Sequence, residues 1–219
     1  PNSVVAESFR QANAQVMREM TAGGHVVLLV VGGLPGSGTT SVVANLGATD
    51  AAAGKRVLLI DANFRRPRLP EAIGVAEDGP GLGDLLCGEG TLEDVLVDVG
   101  DGLHLLHAGT PSSRVLERLN SPKLDSVLAE LRPRYDVILI DAPPAVVAGE
   151  AMVLASKADA ALLVVRANQE QRGLVARLVR QLSDMRCQLV GILLNRPRGT
   201  AGGYLKKNYA AMAEYAKST

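Results

Sequence analysis

Short, continuous apolar runs alternate with stretches of helical spacing along most of this chain. The first run is His25–Val31 (HVVLLVV). Arg56–Ile60 (RVLLI), Leu103–Leu106 (LHLL), Tyr135–Ile140 (YDVILI), Ala160–Val165 (AALLVV) and Leu189–Leu194 (LVGILL) follow. Runs this short, without polar alternation, predict strands buried on both faces. The stretches between them have helical spacing. Residues 39–54 read as a helix stopped by Gly54. Val115, Leu119, Leu124, Val127, Leu128 and Leu131 share a helical face, with Pro122 at a helix start or break. Val175, Leu178 and Leu182 form another. Strands that alternate with helices imply right-handed crossovers, and so an α/β fold with a mostly parallel central sheet between helical layers.

The two ends depart from this alternation. Phe9, Ala12, Val16 and Met20 lie on one face of an N-terminal helix that Gly23 and Gly24 end. Beyond Arg196 the chain is richer in Gly, Lys and Tyr. The predicted organisation is a helix in residues 1–24, a core in 25–196 and a tail in 197–219.

Composition narrows the class. The chain of 219 residues is 47% hydrophobic but only 3% aromatic, with no Trp, so Val, Leu, Ile and Ala must build the core. A formal net charge of zero leaves no electrostatic footprint for bulk nucleic-acid binding. Cys87 and Cys187 are isolated, and His25, His104 and His107 are scattered, so no metal-ligand spacing appears. No apolar run reaches the length of a membrane span, and no signal peptide is visible. The chain opens on Pro1 rather than Met, which points to an excised fragment or a processed product.

The candidate chemistry sits at three strand ends, where open parallel sheets bind ligands. The first is VVGGLPGSGTTSVV (Val30–Val43), close to the phosphate-loop pattern G-x-x-x-x-G-K-[ST]. Gly33, Gly36 and Gly38, with Ser37, Thr39 and Ser41, form a backbone nest leading into a helix N-terminus, and Thr40 is placed to ligate Mg²⁺. The second is LLIDANFRRP, with Asp61, Asn63, Arg65 and Arg66 after a strand. The third is ILIDAPP, where Asp141 has the position of a Walker B aspartate. A glycine loop alone can be a tight turn, and an aspartate at a strand end can cap the next helix. All three in this order predict a nucleotide site and a P-loop NTPase version of the three-layer fold.

These motifs together resemble the bacterial tyrosine kinases, P-loop kinases of exopolysaccharide and capsule assembly. VAESFRQANAQV is similar to their E-x-x-R-x-x-R helix, GGLPGSGTTSVVANLG to their Walker A and VLLIDANFRRPRLPEAIG to their Walker A′. GLGDLLCGEGTLEDVL and the segment from Leu103 to ILIDAPP follow their pattern through Walker B. GILLNR resembles the segment where related ATPases place Asn195 and Arg196 near adenine. Partitioning ATPases share the wider fold but usually lack FRRP and GLGDLLCGEGTLEDV. The resemblance implies ATP or ADP with Mg²⁺ held by Thr40, Asp61 and Asp141, and Asp61, Asp141 and Arg65 as catalytic residues. It implies tail tyrosines as phosphoacceptors (Tyr204, Tyr209 and Tyr215), and a homo-oligomeric ring using Glu7 and Arg10. A membrane-embedded polysaccharide co-polymerase segment or activator protein would be the partner, at the inner face of the cell membrane.

Four departures point one way. Thr39 stands where the lysine reaches the β- and γ-phosphates, and no Lys or Arg occurs from Val30 to Ala53. A cation ~4 Å from a phosphate oxygen is worth roughly 4 kcal/mol at an effective dielectric near 20. Its loss amounts to about three orders of magnitude in affinity or rate. Asn63 replaces the second A′ carboxylate, and Asn13 the last arginine of the N-terminal motif. The tail tyrosines are sparse, and Leu205, Tyr209, Met212 and Ala216 also fit one face of an ordinary C-terminal helix. The pattern therefore predicts a kinase-like domain with poor or absent activity. An active autokinase with Arg65 or Arg66 as substitute cation is one alternative, and a partitioning-type ATPase the other.

Overall fold

A computed structural model describes residues 4–76, 79–110, 113–185 and 187–196. Helix α1 (Val4–Ala22) precedes strand β1 (Val27–Gly32), helix α2 (Thr39–Ala52) and β2 (Val57–Asp61). Three short helices, α3 (Leu69–Ile73), α4 (Leu82–Cys87) and α5 (Leu92–Val95), lead to a hairpin of β3 (Leu96–Gly100) and β4 (Leu103–Leu106). Then come α6 (Ser113–Leu119), α7 (Pro122–Leu131), β5 (Val137–Asp141), α8 (Glu150–Ala155), β6 (Ala160–Arg166), α9 (Arg172–Ser183) and β7 (Gln188–Asn195). The seven strands form one sheet in the order β3-β4-β2-β5-β1-β6-β7, parallel except for β3 against β4.

The six expected strands are all present, and β3 is an addition. It is an edge strand folded back through Gly100, Asp101 and Gly102, all at positive φ. The predicted helical face from Val115 to Leu131 is split between α6 and α7. Pro122 opens α7, where its missing N–H costs nothing, and the Ser121 side chain caps the N-terminus.

The core lies on both sides of the sheet because successive residues point to opposite faces. Leu58 and Ile60 of β2 face the layer of α4 to α9, whereas Val57 and Leu59 face α1, α2 and α3. Gly47 lets α2 lie close on the sheet, since a Cβ there would stand 2.5 Å from Leu59 Cδ2. On α1, Val16 and Met20 are buried and Phe9 packs beside them. Asn13 lies on that inner face too, and donates to Asp50 Oδ1 (3.1 Å), which also pairs with Lys55 (2.7 Å). The third position of the N-terminal motif thus points into the fold. Glu7 and Arg10 are engaged with each other along α1 (2.8 Å).

The GLGDLLCGEG segment has a structural cause. Asp84 Oδ2 accepts the backbone N–H groups of Gly81 (2.7 Å) and Thr110 (3.1 Å), tying α4 to the loop after β4. A side chain at Gly81 would collide with the carbonyl of His107.

Candidate functional site

The Gly-rich loop joins β1 to α2. Gly36 and Gly38 have φ of 83° and 93°, conformations that L side chains rarely adopt. These turns bring successive backbone N–H groups to the N-terminus of α2, which begins at Thr39. Ser37 is buried, and its hydroxyl lies 2.6 Å from Glu170 Oε1 and 2.7 Å from the carbonyl of Leu34. From the far side, Asn195 Nδ2 donates to the carbonyl of Ser37 (2.9 Å). A side chain at Gly38 would strike Asn195. The loop is therefore braced by the ends of β6 and β7.

Asp61 and Asp141 are register partners on β2 and β5, so two buried carboxylates sit side by side beneath the loop. Asp141 Oδ2 accepts the Thr40 hydroxyl (2.6 Å), while Asp141 Oδ1 is buried without a hydrogen-bond partner. Burial pushes the Asp141 carboxyl up to about 7 and the neighbouring Asp61 adds to this, while the hydroxyls of Thr40 and Thr39 oppose it. A buried acceptor oxygen lacking a donor, beside a second hydroxyl oxygen, fits a hard divalent cation. Thr40 and Asp141 would hold Mg²⁺, which supplies Lewis-acid stabilisation to phosphate oxygens when bound.

Asp61 has a further task. Its Oδ1 accepts Asn63 N–H (3.0 Å), and its Oδ2 accepts Arg68 N–H and Leu69 N–H (2.9 Å each). It anchors the whole Asn63–Leu69 loop, so the capping reading holds here. Its Oδ2 is thereby committed to two backbone N–H donors.

Among the other expected site residues, Gly33 is buried at the loop's start and Ser41 is exposed on the first turn of α2. Arg196 is exposed just beyond β7. Arg65 is bonded to Glu150 (2.9 Å) on α8. Tyr204, Tyr209 and Tyr215 lie outside the described residues. The structure adds two residues that the motifs did not reveal. Glu170 Oε1 takes both the Ser37 hydroxyl and the Arg166 N–H (3.1 Å). Arg166 Nη1 reaches the Gly36 carbonyl (3.4 Å), putting a guanidinium at the outer rim of the loop.

The same fold recurs in solved proteins. The BceF tyrosine kinase domain is 32% identical, with a TM-score of 0.78 over 86% of this chain and 76% of that one. The chain belongs to the bacterial tyrosine kinase family. An AAA domain family model also matches residues 30–190 of this kinase-family chain. The tyrosine-protein kinase YwqD of Bacillus subtilis (strain 168) is 28% identical over 89% of this chain and 82% of its own. The succinoglycan biosynthesis transport protein ExoP of Rhizobium meliloti (strain 1021) is 30% identical over 90% of this chain but 25% of its own. The chain thus spans about a quarter of the length of several curated relatives. No helix among the described residues is long and apolar enough to cross a membrane.

Proposed function

We propose that this family member is a regulatory domain of exopolysaccharide polymerisation and export whose grip on ATP is impaired and whose tyrosine kinase activity is weak or absent. One observation carries the reading. Position 39 carries a neutral hydroxyl at the start of α2, and no cation occurs from Val30 to Ala53. The glycine nest, Thr40 and Asp141 keep the shape of a Mg²⁺-nucleotide cradle, but the charge that would neutralise the outer phosphates is missing. Arg65 is engaged with Glu150 on α8. The working surface would then be an interface with further copies of the chain and with a membrane-embedded co-polymerase segment or activator, at the inner face of the cell membrane. Calorimetric titration with Mg·ATP and Mg·ADP, with mass spectrometry of the purified protein for phosphotyrosine, tests the reading. Micromolar binding together with phosphate on the tail tyrosines would overturn it.

A second reading, an active autokinase, is favoured by Arg166. Its guanidinium is hydrogen-bonded to the Gly36 carbonyl at the rim of the loop. On that reading Arg166→Gln abolishes autophosphorylation while Arg65→Gln spares it. The reverse result would reject it.

A further inference from the structure

Several surface cations are paired: Arg10 with Glu7, Arg18 with Glu19, Arg56 with Asp136, Arg134 with Glu93 and Glu130, and Lys157 with Asp125. Helix α9 departs from this. Arg172, Arg177 and Arg180 are exposed on it, and none forms an ion pair with a described residue. Asp184, just past the helix, is the one acidic residue from 171 to 186. The helical repeat places the three arginines within an arc of about 140°. The opposite face, with Leu174, Leu178 and Leu182, packs on the sheet. Arg172 also stands in the first turn, where no acidic residue balances it and the helix dipole disfavours a cation. Arg180 in the last turn is favoured by the dipole, but helix stability does not account for Arg172.

The neighbouring edge strand adds hydrocarbon. Leu163 pairs with Ile192 and Val165 with Leu194, so Ile192 and Leu194 project to the side of the sheet that carries α9. They are nevertheless 51% and 52% exposed. Unpaired arginines on a convex helix, flanked by half-exposed aliphatic residues, make a broad surface rather than a cleft. Arginine forks match phosphate oxygens, and the aliphatic residues match the acyl boundary. We propose that the outer face of α9, with Ile192 and Leu194 of β7, docks on an anionic phospholipid surface. A convex face with an apolar flank suits a lipid surface better than an acidic peptide, which binds most tightly in a groove.

The proposal is independent of the nucleotide site. Its test is co-sedimentation of the full chain with vesicles of phosphatidylcholine alone and of phosphatidylcholine with an equal part of phosphatidylglycerol. The expected result is binding to the anionic vesicles only, falling steeply as salt rises to about 0.5 M. Each arginine near such a surface contributes roughly fivefold, so Arg172→Gln, Arg177→Gln and Arg180→Gln together lower partitioning on the order of a hundredfold. Ile192→Ser with Leu194→Ser lowers it further. Equal binding to both vesicle types, or none to either, overturns the proposal. Anionic binding that survives the triple variant also overturns it, by placing the contact elsewhere, including the lysines of residues 197–219. Capture of polyglutamate without any vesicle binding would assign the face to an acidic protein partner and reject the lipid. If the triple variant fails to fold, Arg177→Gln alone decides the matter, with a roughly fivefold loss expected and an unchanged affinity refuting it.

Discussion

Thr39→Lys is the most incisive perturbation of the loop. In the structure, position 39 is half-buried at the start of α2, next to Thr40, which donates to Asp141, whose Oδ1 lacks a partner. A lysine there reaches either that carboxylate or an incoming phosphate. Coulomb attraction to a phosphate oxygen ~4 Å away is roughly 4 kcal/mol at an effective dielectric of 20. Ordering the long side chain costs about 2 kcal/mol. The net gain of about 2 kcal/mol corresponds to roughly thirtyfold tighter Mg·ADP. Isothermal titration calorimetry of the parent and the variant reads it directly. Without nucleotide, the ammonium also favours ionised Asp141 and should bring its titration well below 7. A folded Thr39→Lys variant with unchanged affinity would refute the reasoning, because the loop would then not be a cradle lacking one charge.

Other outcomes follow from the same contacts. Between about pH 4 and pH 7 folded Asp141 holds a proton that the unfolded chain has released, so stability should fall as pH rises through that window. Urea denaturation across this range should show the slope in the parent and lose it in Asp141→Asn. Asp159 accepts both forks of Arg132 (2.7 and 2.8 Å) and the N–H groups of Val26 and Val27. Burial pushes its carboxyl up, but the Arg132 hydrogen bonds and those two N–H groups outweigh this, leaving it below the ordinary range. Its contribution is present above the ordinary carboxylate range and lost as pH falls through the lowered value. Asp159→Ala leaves the Val26 and Val27 N–H groups without their acceptor and should cost about 2 kcal/mol by denaturant titration at pH 7. Gly81→Ala should cost several times the roughly 1 kcal/mol of an average substitution, because a backbone carbonyl blocks the new Cβ. A melting temperature within a degree of the parent would contradict that.

Much of this was legible in sequence because buried parallel strands are written as uninterrupted aliphatic runs. The glycine loop, Thr40 and Asp141 were found by order and spacing, and the structure assembles them at one end of the sheet. Strand β3 escaped because its alternation, Leu96 to Gly100, is short and merges with the helical LEDV before it. The Asp101–Gly102 pair was the available hairpin signal. As a motif position, Asn13 reads as a weakened ring contact. Its burial against Asp50 depends on which face of α1 meets α2, which a motif does not encode. Glu170 and Arg166 were invisible because their contact with the loop spans about 130 residues of sequence, and nothing local announces it.

The hydrogen bond from Asn195 to Ser37 ties the nucleotide loop to the last residue of an edge strand. Edge strands are among the first elements to detach in partial unfolding. When β7 peels away, the brace on the Gly-rich loop goes with it while the central strands stay intact. The lifetime of a shaped anion cradle is then set by the opening of this edge strand rather than by the stability of the whole domain. Amide exchange in the loop should follow the opening of β7 rather than global unfolding.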